Sequence, residues 1–168
     1  MKNLPTTPDA DVRARMGLAL GRIPQGLYVL TAAHDGREGG TMVSWVQQLA
    51  FRPPMVMLSL QRDCAIIPIL LGAKCFALNQ VRPDDKLVRR NFRPQVGNEE
   101  LDLHAVETVQ KVTGAPVMTR AQTYLDCRLY RHLGVEADHD LYIGLVEDAA
   151  PVTNGEVTVI FRDDGFSY

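Results

Sequence analysis

Six consecutive residues, Met55-Val56-Met57-Leu58-Ser59-Leu60, are apolar at all positions but one, with Pro53-Pro54 before them and Gln61-Arg62-Asp63 after. A run this short and this apolar reads as a strand buried on both faces. The rest of the chain supplies it with partners. Residues 27–33 are rich in strand formers, His34-Asp35-Gly36 reads as a turn, and residues 39–46 read as the returning strand of a hairpin. Residues 74–81 make a fourth strand, residues 123–133 and 141–148 two long ones, and residues 157–161 a last strand that closes a barrel.

Helices are few. Thr7-Pro8-Asp9-Ala10-Asp11 carries a cap, a first-turn proline and early acids, after which Val12, Met16, Ala19 and Ile23 recur on one face until Gly21 and Pro24 end the helix. A short helix is expected over residues 66–71 despite Pro68, and another opens at Pro83-Asp84-Asp85, carrying Leu87, Val88 and Phe92. Residues 93–97 and Asn98-Glu99-Glu100 read as a surface excursion. Many strands in hairpin order with few helices favour a mainly β, antiparallel barrel over a parallel sheet. With no repeat, low-complexity tract or linker, residues 1–168 read as one domain.

At 168 residues, folding buries roughly two-thirds of the unfolded chain's surface, so neither metal nor disulfide is needed for a core. Eighteen basic against twenty acidic side chains leave no basic excess, which disfavours a nucleic-acid or polybasic membrane partner. Cys64, Cys75 and Cys127 stand far apart without metal spacing, as buried thiols in a reducing cytoplasm would. Met1-Lys2-Asn3-Leu4-Pro5 has no apolar run, so no signal peptide is expected, and stretches such as residues 65–73 are too short to span a bilayer. His34, His104, His132 and His139 never fall at helical i, i+4 spacing, so no metal site is expected, and GxGxxG, P-loop and GxSxG patterns are missing.

Four features remain, each with two readings. Gly39-Gly40-Thr41-Met42-Val43-Ser44-Trp45-Val46 suits a ligand approaching the backbone, or an ordinary hairpin corner. Trp45, the single tryptophan, suits a flat wall for a ring ligand, or core. Lys86, Arg90 and Arg93 share a helical face with Arg89 beside them, fit to meet a phosphate or simply to be solvated. His139 lies between Asp138 and Asp140 at a strand start, flanked by carboxylates that favour its protonated form, or else ties down a turn.

Further stretches stand in a meaningful order. They are Ala19-Leu20-Gly21-Arg22-Ile23-Pro24-Gln25-Gly26-Leu27-Tyr28-Val29-Leu30-Thr31-Ala32, Val43-Ser44-Trp45-Val46-Gln47-Gln48, Phe51-Arg52-Pro53-Pro54, Phe76-Ala77-Leu78-Asn79, Asn91-Phe92, Gly114-Ala115-Pro116-Val117, Tyr124-Leu125-Asp126-Cys127 and Asp138-His139-Asp140-Leu141-Tyr142-Ile143-Gly144. In that order they resemble the flavin reductase-like family, the FMN-binding split barrels. The likeness is strongest to flavoredoxin-like members and to the reductase domain ending photosynthetic flavodiiron proteins.

The resemblance implies an antiparallel split β-barrel with a few short flanking helices, homodimeric, with FMN between subunits. It implies that Met42, Val43, Ser44, Trp45 and Val46, with Gln48, hold the isoalloxazine and ribityl. Asp63, Cys64 and Ala65 occupy the next contact stretch, Lys86, Asn91 and Phe92 line the phosphate end, and His139 lies near the nicotinamide as the catalytic candidate. The pattern departs in places: Met42 stands where many members have Thr, with Thr41 one place earlier. Cys64-Ala65 replaces a Ser/Thr pair, leaving Arg62 or Arg89 as substitutes, and Ala137 replaces the glycine of Gly-Asp-His. The implied function is flavin reduction, a hydride passing from NAD(P)H to flavin N5 and electrons going on to an acceptor. The alternatives are an FMN-binding electron carrier without a nicotinamide site, and a non-catalytic barrel.

Overall fold

The computed structural model describes residues 9–91 and 103–166, and these described residues form three helices and eleven strands. In order these are α1 (Ala10–Gly21), β1 (Gln25–Gly26), β2 (Tyr28–His34), β3 (Arg37–Val43), β4 (Val46–Phe51), β5 (Pro54–Gln61), α2 (Ile67–Ala73), β6 (Cys75–Gln80) and α3 (Lys86–Asn91). After a 3₁₀ turn, Leu103–Ala105, come β7 (Thr108–Gln110), β8 (Pro116–Met118), β9 (Thr123–Gly134), β10 (His139–Pro151) and β11 (Val159–Ile160). The fold is mainly β and antiparallel with short helices, as the sequence implies. Contacts divide it into two compact units, Met1–Gln25 with Val159–Tyr168, and Gly26–Thr158.

The larger unit holds a seven-stranded sheet in the order β3-β2-β6-β9-β10-β5-β4, antiparallel at every pairing. The β2–β3 hairpin closes on Asp35-Gly36, with φ of 50° and 75° and His34 paired to Arg37. Two left-handed residues in a row make the turn whose twist matches the strands, and Asp-Gly is a preferred pair for it. The edge strands β3 and β4 follow one another in sequence, with only Ser44 and Trp45 between them. Laid flat, six strand gaps of about 4.8 Å would separate those edges by about 29 Å, whereas three residue steps from Val43 to Val46 reach at most about 11 Å. The sheet must therefore curl until the end of β3 reaches the start of β4, and the two edges of the resulting barrel meet at that corner, its seam. Leu30, Leu58, Phe76, Leu78, Cys127 and Tyr142 fill its interior together with Ile69 and Leu70 of α2.

Several expectations need correction. The strand over residues 39–46 breaks at Ser44, and a separate strand, β4, begins at Val46. In β5 burial alternates: Val56, Leu58 and Leu60 are buried while Met55, Met57 and Ser59 are half-buried, so one face fills the barrel and the other lies outside it. The expected closing strand over residues 157–161 shrinks to Val159–Ile160 and is not part of the seven-stranded sheet; the barrel closes through the β3–β4 connection instead. The small β7–β8 hairpin was not foreseen.

In the smaller unit, α1 buries Gly17 and Gly21, not the expected face, since Met16 is 47% and Ile23 53% exposed. The C-terminal segment lies directly on the helix backbone there. Arg162 N–H donates to Gly21 O at 3.0 Å and Gly165 N–H to Gly17 O at 2.7 Å. A Cβ on Gly21 would stand 2.3 Å from Arg162 O, so a side chain would push the segment away. The expected cap residues Thr7 and Pro8, Phe92, and the excursion over residues 93–100 lie outside the described residues. No described helix is long and apolar enough to cross a membrane.

Candidate functional site

The seam brings distant segments together. Ser44 and Trp45 leave β3 without entering β4: Val46 N–H donates to Ser44 O at 3.0 Å, and Ser59 N–H of β5 donates to Trp45 O at 3.0 Å. Trp45 is thereby tied to the middle of β5, two residues before Gln61, which pairs with His139 at the start of β10. The Trp45 and His139 rings meet at 4.6 Å between centroids, inclined at 37°. Beyond Gln61 the chain turns, Cys64 N–H donating to Gln61 O at 3.0 Å, and the Cys64 thiol shares a hydrogen bond with the Thr41 hydroxyl of β3. Thr41, Trp45, Cys64 and His139 thus converge where the sheet edges meet.

The electrostatics of this end follow from burial and pairing. Burial pushes the Cys64 thiol up, and hydrogen bonds from the Ile66 backbone and Thr41 only partly offset it. The thiol therefore stays protonated and unreactive at neutral pH. His139 is 8% exposed, with Nδ1 at 3.0 Å from Asp138 Oδ1, and the imidazole beside it holds the Asp138 carboxyl below the usual carboxylate range. Of the two flanking carboxylates, Asp138 stands against the imidazole. Strand alternation sends Asp140 to the other side, where it binds Arg62 Nε at 3.1 Å, His132 Nε2 at 3.2 Å and Val135 N–H at 3.2 Å. Burial would raise the Asp140 carboxyl, but the His132, Arg62 and Val135 bonds outweigh it and hold the group low.

Among the remaining candidates, Val43 is buried in the barrel and Val46 packs against the same core, which leaves only their main chains to a ligand. Met42 and Ala65 are half-buried, while Asp63 and Gln48 are exposed, Gln48 on the edge strand beside a bulge. Lys86, Arg89 and Arg90 are exposed on α3. Asp85, just before that helix, accepts Val88 N–H at 3.0 Å and takes a two-pronged bond from Arg120 at 2.6 and 3.0 Å. Asn91 ends α3, and Phe92 and Arg93 lie outside the described residues. Arg62, a candidate substitute for the lost hydroxyls, is engaged by Asp140 and by the Val135 carbonyl. Sequence reasoning gave His132 and Tyr142 no part in this neighbourhood; it expected both Asp138 and Asp140 beside His139, whereas Asp140 is bound by Arg62 and His132.

Three comparisons bear on this arrangement. Residues 20–168 match the family model described as "Flavin reductase like domain". "Putative diflavin flavoprotein A 3" of Synechocystis sp. is 30% identical over 158 residues, covering 92% of this chain and 26% of the relative. "Diflavin flavoprotein A 1" of the same organism is 29% identical over 140 residues, covering 83% and 23%. The chain thus spans about a quarter of the length of these curated relatives. Among solved structures, the NADH:FAD oxidoreductase SgcE6 of Streptomyces globisporus C-1027 superimposes with a TM-score of 0.78 at 20% identity, over 97% of this chain and 96% of that one. The flavin reductase PheA2 superimposes at 0.74 and 23% identity, over 92% and 94%. These structures share the barrel; the sequence match, which takes in the β3–β4 seam and the His139 strand, carries the assignment, and the chain belongs to the flavin reductase-like domain family.

Proposed function

We propose that this domain binds FMN at the seam and passes a hydride from NAD(P)H to the flavin, from which electrons go on to an acceptor. The observation that carries the reading is the gathering of Thr41 with Cys64 and of Trp45 with His139 beside the β3–β4 link. The donor set suits a flavin. Ser44 and Trp45 belong to neither β3 nor β4, their carbonyls held by Val46 and Ser59 N–H, the indole lies against His139, and the Thr41 hydroxyl bonds a protonated thiol. When bound, the flavin supplies the hydride-accepting N5; the protein binds, orients and dries the site. Residues 42–46 would hold the ring and ribityl through main-chain groups, with Gln48, Asp63, Cys64 and Ala65 at the margin. Lys86, Asn91 and Phe92 would take the phosphate end. His139, fixed by Asp138 on one side and Trp45 on another, would contact the nicotinamide. The structurally similar SgcE6 is an NADH:FAD oxidoreductase. The free thiols Cys64, Cys75 and Cys127 suit a cytoplasmic setting.

The experiment is a titration of purified protein with FMN and with riboflavin, followed by anaerobic addition of NADH or NADPH. We expect stoichiometric FMN uptake, distinctly weaker riboflavin binding as the phosphate's cationic partners are lost, and bleaching by at least one nucleotide. His139→Ala should keep FMN affinity and slow bleaching about tenfold, the size of one positioning or acid–base contact. If FMN binds but neither nucleotide bleaches it, the domain is an electron carrier. If no flavin binds, the barrel is not a flavoprotein.

A further inference from the structure

His139 and Asp138 sit at the base of the β9–β10 hairpin tip, residues 134–138, an exposed stretch with few packing contacts of its own. Such a tip moves unless something ties it. Arg62 supplies three separate ties. Its main-chain N–H donates to Asp138 O at 3.1 Å, its Nε to Asp140 Oδ1 at 3.1 Å, and its terminal nitrogen to the Val135 carbonyl. Asp140 closes the loop by accepting Val135 N–H and bonding His132, whose ring stacks on buried Tyr142 at 4.5 Å and 8°. The other end of Arg62 is equally fixed, since Cys64, two residues on, bonds back to Gln61 and to Thr41. Arg62 therefore joins the turn behind the seam to the tip that presents His139.

We propose that Arg62 is a positioning residue that clamps the β9–β10 tip so that His139 stays against Trp45. An exposed ion pair alone would contribute little. The effect here comes from the guanidinium fork, which engages a carboxylate and a carbonyl in fixed geometry, a geometry one ammonium cannot reproduce. The consequence for nicotinamide binding rests on the function proposed above; the clamp itself does not.

Two readouts on the ligand-free protein test it. The first is hydrogen exchange over residues 134–138. The second is emission from Trp45, the only tryptophan, which an adjacent imidazole quenches, with His139→Leu as the reference for a lost stack. We expect Arg62→Ala to exchange the tip amides about tenfold faster, the size of a lost charge-assisted hydrogen bond. We also expect its emission to rise toward that of His139→Leu, and the double variant to be no brighter than His139→Leu. Arg62→Lys should fall between. If Arg62→Ala fails to fold, Arg62→Lys and Asp140→Asn carry the same readouts. Unchanged exchange, or faster exchange with unchanged emission, overturns the clamp. With flavin bound, the KM for the nicotinamide nucleotide should rise about tenfold while FMN affinity holds. Should the clamp readouts move while the parent oxidises no nucleotide, the clamp stands and the reductase reading falls.

Discussion

His139 and Asp140 are neighbours in sequence and face opposite environments, one the seam and Trp45, the other the Arg62–His132 cluster. The residue types were legible from the chain: a lone tryptophan and a histidine between acids mark places where chemistry concentrates. Their meeting was not, because it depends on β10 pairing with β5 and on Ser59 N–H holding Trp45 O, and neither leaves a trace in local composition. Tyr142, one alternation further along β10, gives a pH test at this scale. It is 1% exposed, and burial pushes its phenol up to about 12. The unfolded chain loses that proton first, near pH 10, so stability should hold below about pH 10 and fall as pH climbs to about 12. Urea midpoints across that range check the slope. Tyr142→Phe should make it shallower without abolishing it, since Tyr28 and Tyr124 shift the same way. An unchanged slope in Tyr142→Phe counts against the assignment.

Among elements, α1 shows why an apolar stripe can mislead. Its sequence offers Val12, Met16, Ala19 and Ile23, yet the packing uses Gly17 and Gly21, where a strand of backbone comes closer than any side chain allows. Helix propensity alone says that Gly→Ala stabilises by about 1 kcal/mol. Here Gly21→Ala puts a methyl against the Arg162 carbonyl and endangers the Arg162–Gly21 hydrogen bond. We expect a net loss of about 1–2 kcal/mol, seen as a lower urea midpoint and faster proteolysis of the C-terminal segment; a raised midpoint would refute the packing account. The strand β4 escaped notice for a different reason. Its Gln47 and Gln48 are exposed on a sheet edge, so it lacks the apolar signal that marks β5.

For the whole molecule, antiparallel strands with few helices were readable from turn signals and strand-forming runs; the mode of closure was not, since it follows from which strands become edges. The outer face of β5 and β10 bears on assembly. Met55 pairs with Leu145, Met57 with Ile143 and Ser59 with Leu141, all half-buried and opposite the side that fills the barrel. A largely apolar face of this kind suits a second copy of the chain, and we propose a homodimer through it. Light scattering of the flavin-bound protein at micromolar concentration should report twice the chain mass, and Ile143→Arg should shift it toward the monomer. A monomeric parent, or a variant as dimeric as the parent, would remove this face from the interface.

The two-residue link between β3 and β4 has a mechanical consequence. Neighbouring strands of the seven-stranded sheet are laced by backbone hydrogen bonds; among the described residues β3 and β4 do not pair with each other, and the two-residue link joins them. Any molecule lodged there acts as a clasp, and its binding energy becomes resistance of the barrel to opening. Occupancy of the site and integrity of the wall are then one equilibrium. Loading should show first as slowed fraying of β3 and β4, before any product is made.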